Sequence, residues 1–263
     1  MTETQKEIIH QGISINCDMG ESFGLYRMGN DEAIMPYITH ANIACGFHGS
    51  DPNHMATTVR LAKAYGVQVG AHFSYPDLPG FGRREMKIQR EELKNLIVYQ
   101  VGALKGFLKE QGVRLSHLKP HGALYGVSAR EQDTALAVAD VAKVFDVPVF
   151  GLSGTLHEEV FRAAGVTFIP EFFADLDYDD DGRLVITREH GEVDPDHAAE
   201  RCARAVGERL VTSLGGRDVP VVADTVCVHS DTPNAVEVAA AVHARLFGMG
   251  GAASTGSSFR QRV

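Results

Sequence analysis

A chain of 263 residues, 44% hydrophobic and 22% charged, is long enough to bury a sizeable core, and α/β barrels commonly occupy this length as one domain. Its net charge of -9 excludes nucleic acid and anionic membrane surfaces as natural partners and favours a small polar ligand. Four cysteines, Cys17, Cys45, Cys202 and Cys227, form no CxxC pair, so neither a disulfide framework nor a thiolate zinc site is indicated. The N-terminus is polar, and no run reaches the roughly 18 apolar residues of a membrane span, so a cytoplasmic location is expected.

In chain order, the run 13–17 reads as a strand that delivers Asp18 and Glu21 at its end. The run 39–45 ends at a loop carrying His48, and Asp51 followed by Pro52 predicts a helix N-cap with proline at the first helical position. That helix should stop at Gly66, and the run 67–71 then delivers His72. A long loop follows, with the glycine-spaced segment 79–84, whose Arg83 and Arg84 are suited to meeting a small anion with their planar forks. A helix is expected over 85–111, its apolar residues forming one stripe, and then a strand over 113–118 that Pro120 ends and that delivers Lys119 and His121.

Further helices are expected over 130–145, 155–164, 195–214 and from 232 to about 247, with strands over 148–152, 166–170, 219–222 and 225–228. The sixth delivers Glu171 and Asp175, and the last His229 and Asp231. The acidic stretch 177–181 lacks the ligand spacing of a calcium loop and reads as a turn, with 184–187 as half of a small hairpin. His10, His54, His117, His157, His190, His197 and His243 read as surface or capping residues. Residues 1–247 form one expected domain, and the Gly/Ser/Ala-rich tail 248–263 is expected to be mobile.

Strands and helices alternate, and nearly every strand ends in residues capable of chemistry. Parallel strands closed into a barrel bring all those ends to one face, which is where such enzymes place their sites. No GxGxxG follows the first strand, which argues against a doubly wound open sheet. An irregular α/β barrel of seven parallel strands is the expected fold.

The runs INCDMGESFG, ANIACGFHGSDP, GFGRR and LKPHGALY, with Glu171 to Asp175 and the segment 224–229, resemble the LamB/YcsF family, that of the A subunit of bacterial 5-oxoprolinase. The resemblance runs in order over nearly the whole chain to about residue 247. It implies a TIM-like barrel of the glycoside hydrolase/deacetylase superfamily, opening of the cyclic amide of 5-oxoproline to glutamate with ATP hydrolysis, and partner subunits B and C. No P-loop occurs, so ATP chemistry is expected in the partners or in a site without a recognised motif.

Cleaving an amide needs an activated water, a stabilised oxyanion and a proton for the leaving nitrogen. Asp18 or Glu21 is expected as base, Lys119 as oxyanion stabiliser, His121 or His229 as acid and Asp231 as an orienting group. Substrate contacts are expected from Asn42, His48, Arg83, Arg84, Tyr125, Glu171 and Asp175. Asp18, His72 and His121 are the ligand types and strand-end positions that hold a divalent metal in the superfamily's deacetylases. A stand-alone metal-dependent deacetylase or amidase is therefore the alternative, and a non-catalytic scaffold the third reading. The chain departs from the family pattern at Phe73, Ser74, Leu176 and Ser230, and the loss of an arginine at 176 suggests a pocket that accepts a larger or less anionic cyclic amide.

Overall fold

Ser14, Asn16 and Asp18 alternate with Ile15, Cys17 and Met19, and in the computed structural model, which describes residues 12–185 and 191–248, this period of two separates a polar lumen from an apolar outer wall. Strand β1 (Ser14–Met19) is followed by the short α1 (Asp31–Ile34), β2 (His40–Ala44), α2 (Pro52–Tyr65), β3 (Gln68–Phe73), α3 (Arg90–Gln111) and β4 (Leu115–Pro120). Next come α4 (Gly122–Ser128), α5 (Gln132–Phe145), β5 (Val149–Gly151), α6 (Leu156–Ala163) and β6 (Phe168–Phe173). Strands β7 (Asp177–Tyr178) and β8 (Leu184–Val185), helix α7 (Pro195–Gly207), strands β9 (Leu210–Thr212), β10 (Asp218–Pro220) and β11 (Thr225–His229), and helix α8 (Ala235–Phe247) complete the described chain.

Strands β1, β2, β3, β4, β5, β6 and β11 close a seven-stranded barrel, with β11 between β1 and β6 and every pairing parallel. The expected barrel is therefore present. The outward residues of the strands, among them Ile15, Ile43, Val69, Leu118, Phe172 and Val226, pack against the helices in one continuous core. At α2, Asp51 accepts from the backbone N–H groups of Asn53 and His54, Pro52 opens the helix and Gly66 closes it at φ 69°.

Several expected boundaries shift. Helix α3 begins at Arg90, not at residue 85, and α7 stops at Gly207. The segment 210–220 that follows is an antiparallel pair, β9 with β10, so the strand expected over 219–222 lies outside the barrel. Arg204 from α7 clasps that hairpin through Asp218 and Thr212. Pro120 pairs with Phe73 in register and does not end the ladder, because a proline at the end of a strand need supply no N–H. The small hairpin exists as β7 paired with β8; its residues beyond 185, the tail beyond 248 and the histidines His10 and His190 lie outside the described residues.

His117 and His157, expected at the surface, are fully buried, and His243 is largely so. His117 projects into the lumen against Gly70, where a Cβ would stand 2.1 Å from its Nε2. His157 lies in the first turn of α6, its Nδ1 accepting from the N–H of Leu152 and its Nε2 bonded to Ser128 Oγ. Burial lowers His157 to about 3, and it lowers His40, at the floor of the lumen, to about 4.

Both folded-state values lie below the ordinary histidine value of about 6.5. Their contribution to stability is thus complete above about pH 6.5 and is lost as pH falls towards those values, each costing up to about 1.4 kcal/mol per pH unit. Denaturant titrations should show stability falling from pH 6.5 to 5, less steeply in a His40→Asn/His157→Gln variant; equal stability of the native chain at pH 7 and pH 5 would contradict this.

Candidate active site

Lys119 at the end of β4 lies wholly inside the lumen, where an ammonium is tolerated only with opposite charge beside it. Its Nζ stands 2.9 Å from Asp18 Oδ1 on β1 and 2.9 Å from Glu171 Oε1 on β6, with Asn16 Oδ1 at 3.2 Å and Cys227 Sγ at 3.0 Å. Burial works against the charge, but Asp18, Cys227 and Glu171 outweigh it and hold the Lys119 pKa well above the usual lysine value. For Asp18 burial is likewise overcome, by His72 and Lys119, and its carboxyl stays well below the usual carboxylate range.

Amides fix this pair. Asn42 Oδ1 is bonded to His117 Nε2 at 2.6 Å, which directs its NH2 group to Asp18 Oδ1 and Asn16 Oδ1, both at 2.7 Å. Asn16 in turn donates to Thr225 Oγ1 at 2.9 Å. Asn16, His117 and Cys227 were not among the expected site residues, although their position two residues before Asp18, Lys119 and His229 places them on the same strand face.

Above Asp18, three imidazoles crowd the mouth. His72 Nδ1 donates to the Lys119 carbonyl at 3.0 Å and His121 Nε2 donates to the Phe81 carbonyl at 2.8 Å. Because a carbonyl accepts only, the remaining ring nitrogens, His72 Nε2 and His121 Nδ1, face each other across 3.0 Å with no proton assigned to either by those bonds, and a proton on His72 Nε2 has both His121 Nδ1 and Asp18 Oδ2 as acceptors. Asp18 Oδ2 stands 3.1 Å from the first, and Glu21 Oε1 3.5 Å from the second and 3.0 Å from His48 Nε2. His48 stacks on His121 at 3.7 Å. Such a set of acceptors requires a shared proton or a cation.

Glu21, His48, His72 and His121 form a buried group whose donor atoms all lie within 4.8 Å of one another, so the metal-ligand group differs from the expected trio: Glu21 and His48 join it, and Asp18 falls instead with Cys227 and His229. Burial, then repulsion from Asp231 and Asp18, pushes Glu21 well above the usual carboxylate range, while burial and the neighbouring rings hold His48 and His121 well below the usual imidazole value. On the other side burial works to lower His229, but Asp175 outweighs it and the imidazole is raised: Asp175 takes its Nδ1–H at 2.8 Å and its backbone N–H at 2.7 Å.

The orienting group for His229 is thus Asp175, expected as a substrate contact, whereas Asp231 bonds Arg83 at 2.7 Å. Arg84 turns away from the site: it is half-exposed and bonded to Asp77, which also caps the turn at Gly80. The glycine-spaced loop does not present its amides to an anion. Gly82 instead lies flat on the histidines, where a Cβ would come within 2.8 Å of both His121 Cδ2 and His48 Cβ. Tyr125, buried beside Phe173, Leu176 and Cys227, forms an apolar wall near Glu171, while Phe73 points outward into the core and not into the pocket.

The profile of the LamB/YcsF family matches residues 13–260. The chain belongs to the LamB/YcsF family. Among curated relatives, it is 47% identical over 238 residues to the 5-oxoprolinase A subunit of Thermus thermophilus, covering 89% of this chain and 95% of that one. The counterpart from Pyrococcus furiosus is 46% identical, with 89% and 93% covered. The solved structure of a lactam utilization protein from Thermus thermophilus superimposes with a TM-score of 0.84 at 46% identity over 90% of this chain and 96% of that one. A putative cellobiose-phosphate cleavage protein from Enterococcus faecalis shares the fold alone, at 14% identity and a TM-score of 0.54. The buried Lys119 ammonium should matter for stability. Replacing Lys119 with Met leaves two carboxylates buried without a counter-charge, and should cost about 3–5 kcal/mol in denaturant unfolding; a Lys119→Met protein as stable as the native chain would show that the buried charges are not coupled.

Proposed function

We propose that the chain hydrolyses the cyclic amide of 5-oxoproline, or of a closely related lactam, as the A-type subunit of an assembly whose B and C subunits handle ATP. The observation that carries this reading is a pair of neighbouring carboxylates with opposite protonation: Asp18 is held ionised by His72 and Lys119, and Glu21 is pushed towards the neutral acid. Two groups so separated supply an acid or base and a fixed charge. The relatives' names, the A subunit of 5-oxoprolinase and lactam utilization protein, point to the same bond type.

In this reading Glu21, whose proton affinity is moved towards neutrality, exchanges the proton with the attacking water. Asp18 remains ionised and orients His72. His229, kept protonated by Asp175, donates to the leaving nitrogen or the oxyanion. Lys119 has its donors taken by Asn16, Asp18, Glu171 and Cys227, so it sets the charge of the lumen and does not itself hold the oxyanion. Arg83 beside Ser230 offsets the arginine missing at 176, which favours a carboxylate-bearing lactam over a less anionic one.

As the alternative to a shared proton, the facing ring nitrogens of His72 and His121 fit a divalent cation, which Glu21, His48, His72 and His121 would hold, Glu21 then being an ionised ligand and not the proton-exchanging group. When bound, such an ion lowers the pKa of its water and polarises a carbonyl. A nitrogen-rich set with one carboxylate suits zinc over magnesium or calcium. Purified protein should take up close to one equivalent of zinc by elemental analysis and calorimetry, and His72→Gln should abolish the uptake; a chain that takes up none would assign the shared site to a proton.

The hairpin at Phe23 and Tyr26, closed by two backbone hydrogen bonds, holds Leu25 and Tyr26 almost fully in solvent beside the mouth. That apolar surface supports the presence of a partner protein. The decisive assay is ATP-dependent conversion of 5-oxoproline to glutamate by the chain alone and with B and C subunits. Activity is expected only for the full set, reduced at least about a hundredfold by Glu21→Gln or Asp18→Asn in a folded protein. Full turnover by B and C alone would remove the chain from the reaction, and deacetylation of an N-acetyl sugar by the chain alone would favour the stand-alone metal-dependent enzyme.

A further inference from the structure

Beside the histidine cluster the structure has a cavity of about 600 Å³ lined by Met28, Gly29, Phe81, Arg83, Ser230 and Asp231 among others. Its size suits a small ligand. Three of its features suit a polar ligand. The Arg83 and Asp231 side chains are both only 11% exposed and meet at 2.7 Å, so a full pair of opposite charges lines the wall. Ser230 is buried, yet its Oγ has no hydrogen-bond partner, an unspent donor of the kind that a ligand satisfies. Gly29 makes this possible, since a Cβ there would come within 2.9 Å of that oxygen.

The cavity is coupled to the inner cluster. Arg83 lies over the Phe81 ring at 5.0 Å, and the Phe81 carbonyl receives the His121 Nε2–H. Charge on Asp231 and Arg83 acts on Glu21 in opposite directions, Asp231 raising its pKa and Arg83 lowering it. The pair and Glu21 are thus within electrostatic reach of one another.

We propose that Arg83, Ser230 and Asp231 form a two-headed subsite for an α-amino acid unit: Arg83 and Ser230 take the α-carboxylate, and Asp231 takes the α-nitrogen, first as an amide N–H and then as an ammonium. The assignment rests on the lactam reading above and deepens it. In the hydrolysis, the water oxygen bonds to the ring carbonyl carbon, the C–N bond breaks with its electron pair going to nitrogen, and both water protons end on that nitrogen. A neutral N–H donor thereby becomes a cation with three donors beside Asp231. The ion pair in the ligand-free chain stands in for the zwitterion, each side chain holding the charge that the other half of the ligand later meets. Arg is suited to the carboxylate because its planar fork can bond both oxygens.

Calorimetry with four ligands separates the two heads. L-glutamate and glutarate differ by the α-ammonium, and 5-oxoproline and 2-pyrrolidinone differ by the carboxylate. Arg83→Met should weaken 5-oxoproline and glutamate at least tenfold and leave 2-pyrrolidinone within twofold, with Arg83→Lys intermediate. Asp231→Asn should weaken glutamate at least tenfold and glutarate hardly at all, and Ser230→Ala should weaken 5-oxoproline several-fold. Far-ultraviolet dichroism and melting curves check that each variant is folded; if Arg83→Met is not, Arg83→Lys and Ser230→Ala carry the carboxylate test. A native chain that binds 5-oxoproline, with variants that weaken all four ligands alike or none, overturns the subsite and leaves the lactam reading standing. A native chain that binds none of the four overturns both.

Discussion

A lysine ammonium placed inside a barrel constrains everything around it. Lys119 can stay charged there because Asp18 and Glu171 stand at 2.9 Å on either side, and Asp18 in turn is held ionised by His72 and Lys119. The requirement spreads down the lumen. Asn42 can donate to Asp18 only while His117 occupies its oxygen, and His117 fits only because residue 70 is glycine. The polar lumen is thus one connected network with its apolar counterpart on the outside of the strands, so the barrel is held by its outer core and its chemistry is held by its inner one.

The network divides the mouth into two electrostatic halves. On the Lys119 side, Asp18 and a His229 raised by Asp175 keep their charges. On the other side, Glu21, His48 and His121 are all pushed towards their neutral forms by burial. His72 lies between the two halves, bonded to the Lys119 carbonyl and near both Asp18 Oδ2 and His121 Nδ1. An enzyme for amide hydrolysis needs both halves, since a charge that must not move and a proton that must move cannot be supplied by equivalent groups.

Much of this was legible in the sequence, and the limits have physical causes. The strand ends carrying Asp18, His72, Lys119, Glu171 and His229 converge because parallel strands in a closed barrel leave them no alternative. The strand bodies were harder to read as polar-lined: Asn16 and Cys227 sit among apolar neighbours, and only the alternation of faces distinguishes them. His117 and His157 look like surface histidines in sequence, because what they pack against, Gly70 for the first and Tyr125 and Ser128 for the second, comes from other segments. Arg83 and Arg84 are adjacent and chemically identical, yet one meets Asp231 and the other Asp77; the turn at Gly80 to Gly82 decides which. The hairpin of β9 and β10 was missed because a short apolar stretch after a helix looks the same inside a barrel and outside it.

The opposite protonation of Asp18 and Glu21 is the claim on which the account of the site rests, and carboxyl carbon-13 NMR titration of the metal-free protein tests it most directly. The account predicts that Asp18 remains ionised down to the acid limit of folding, and that Glu21 titrates well above the ordinary glutamate value, with the two assigned through Asp18→Asn and Glu21→Gln. Two carboxyls that both titrate near 4, as free side chains do, would contradict it.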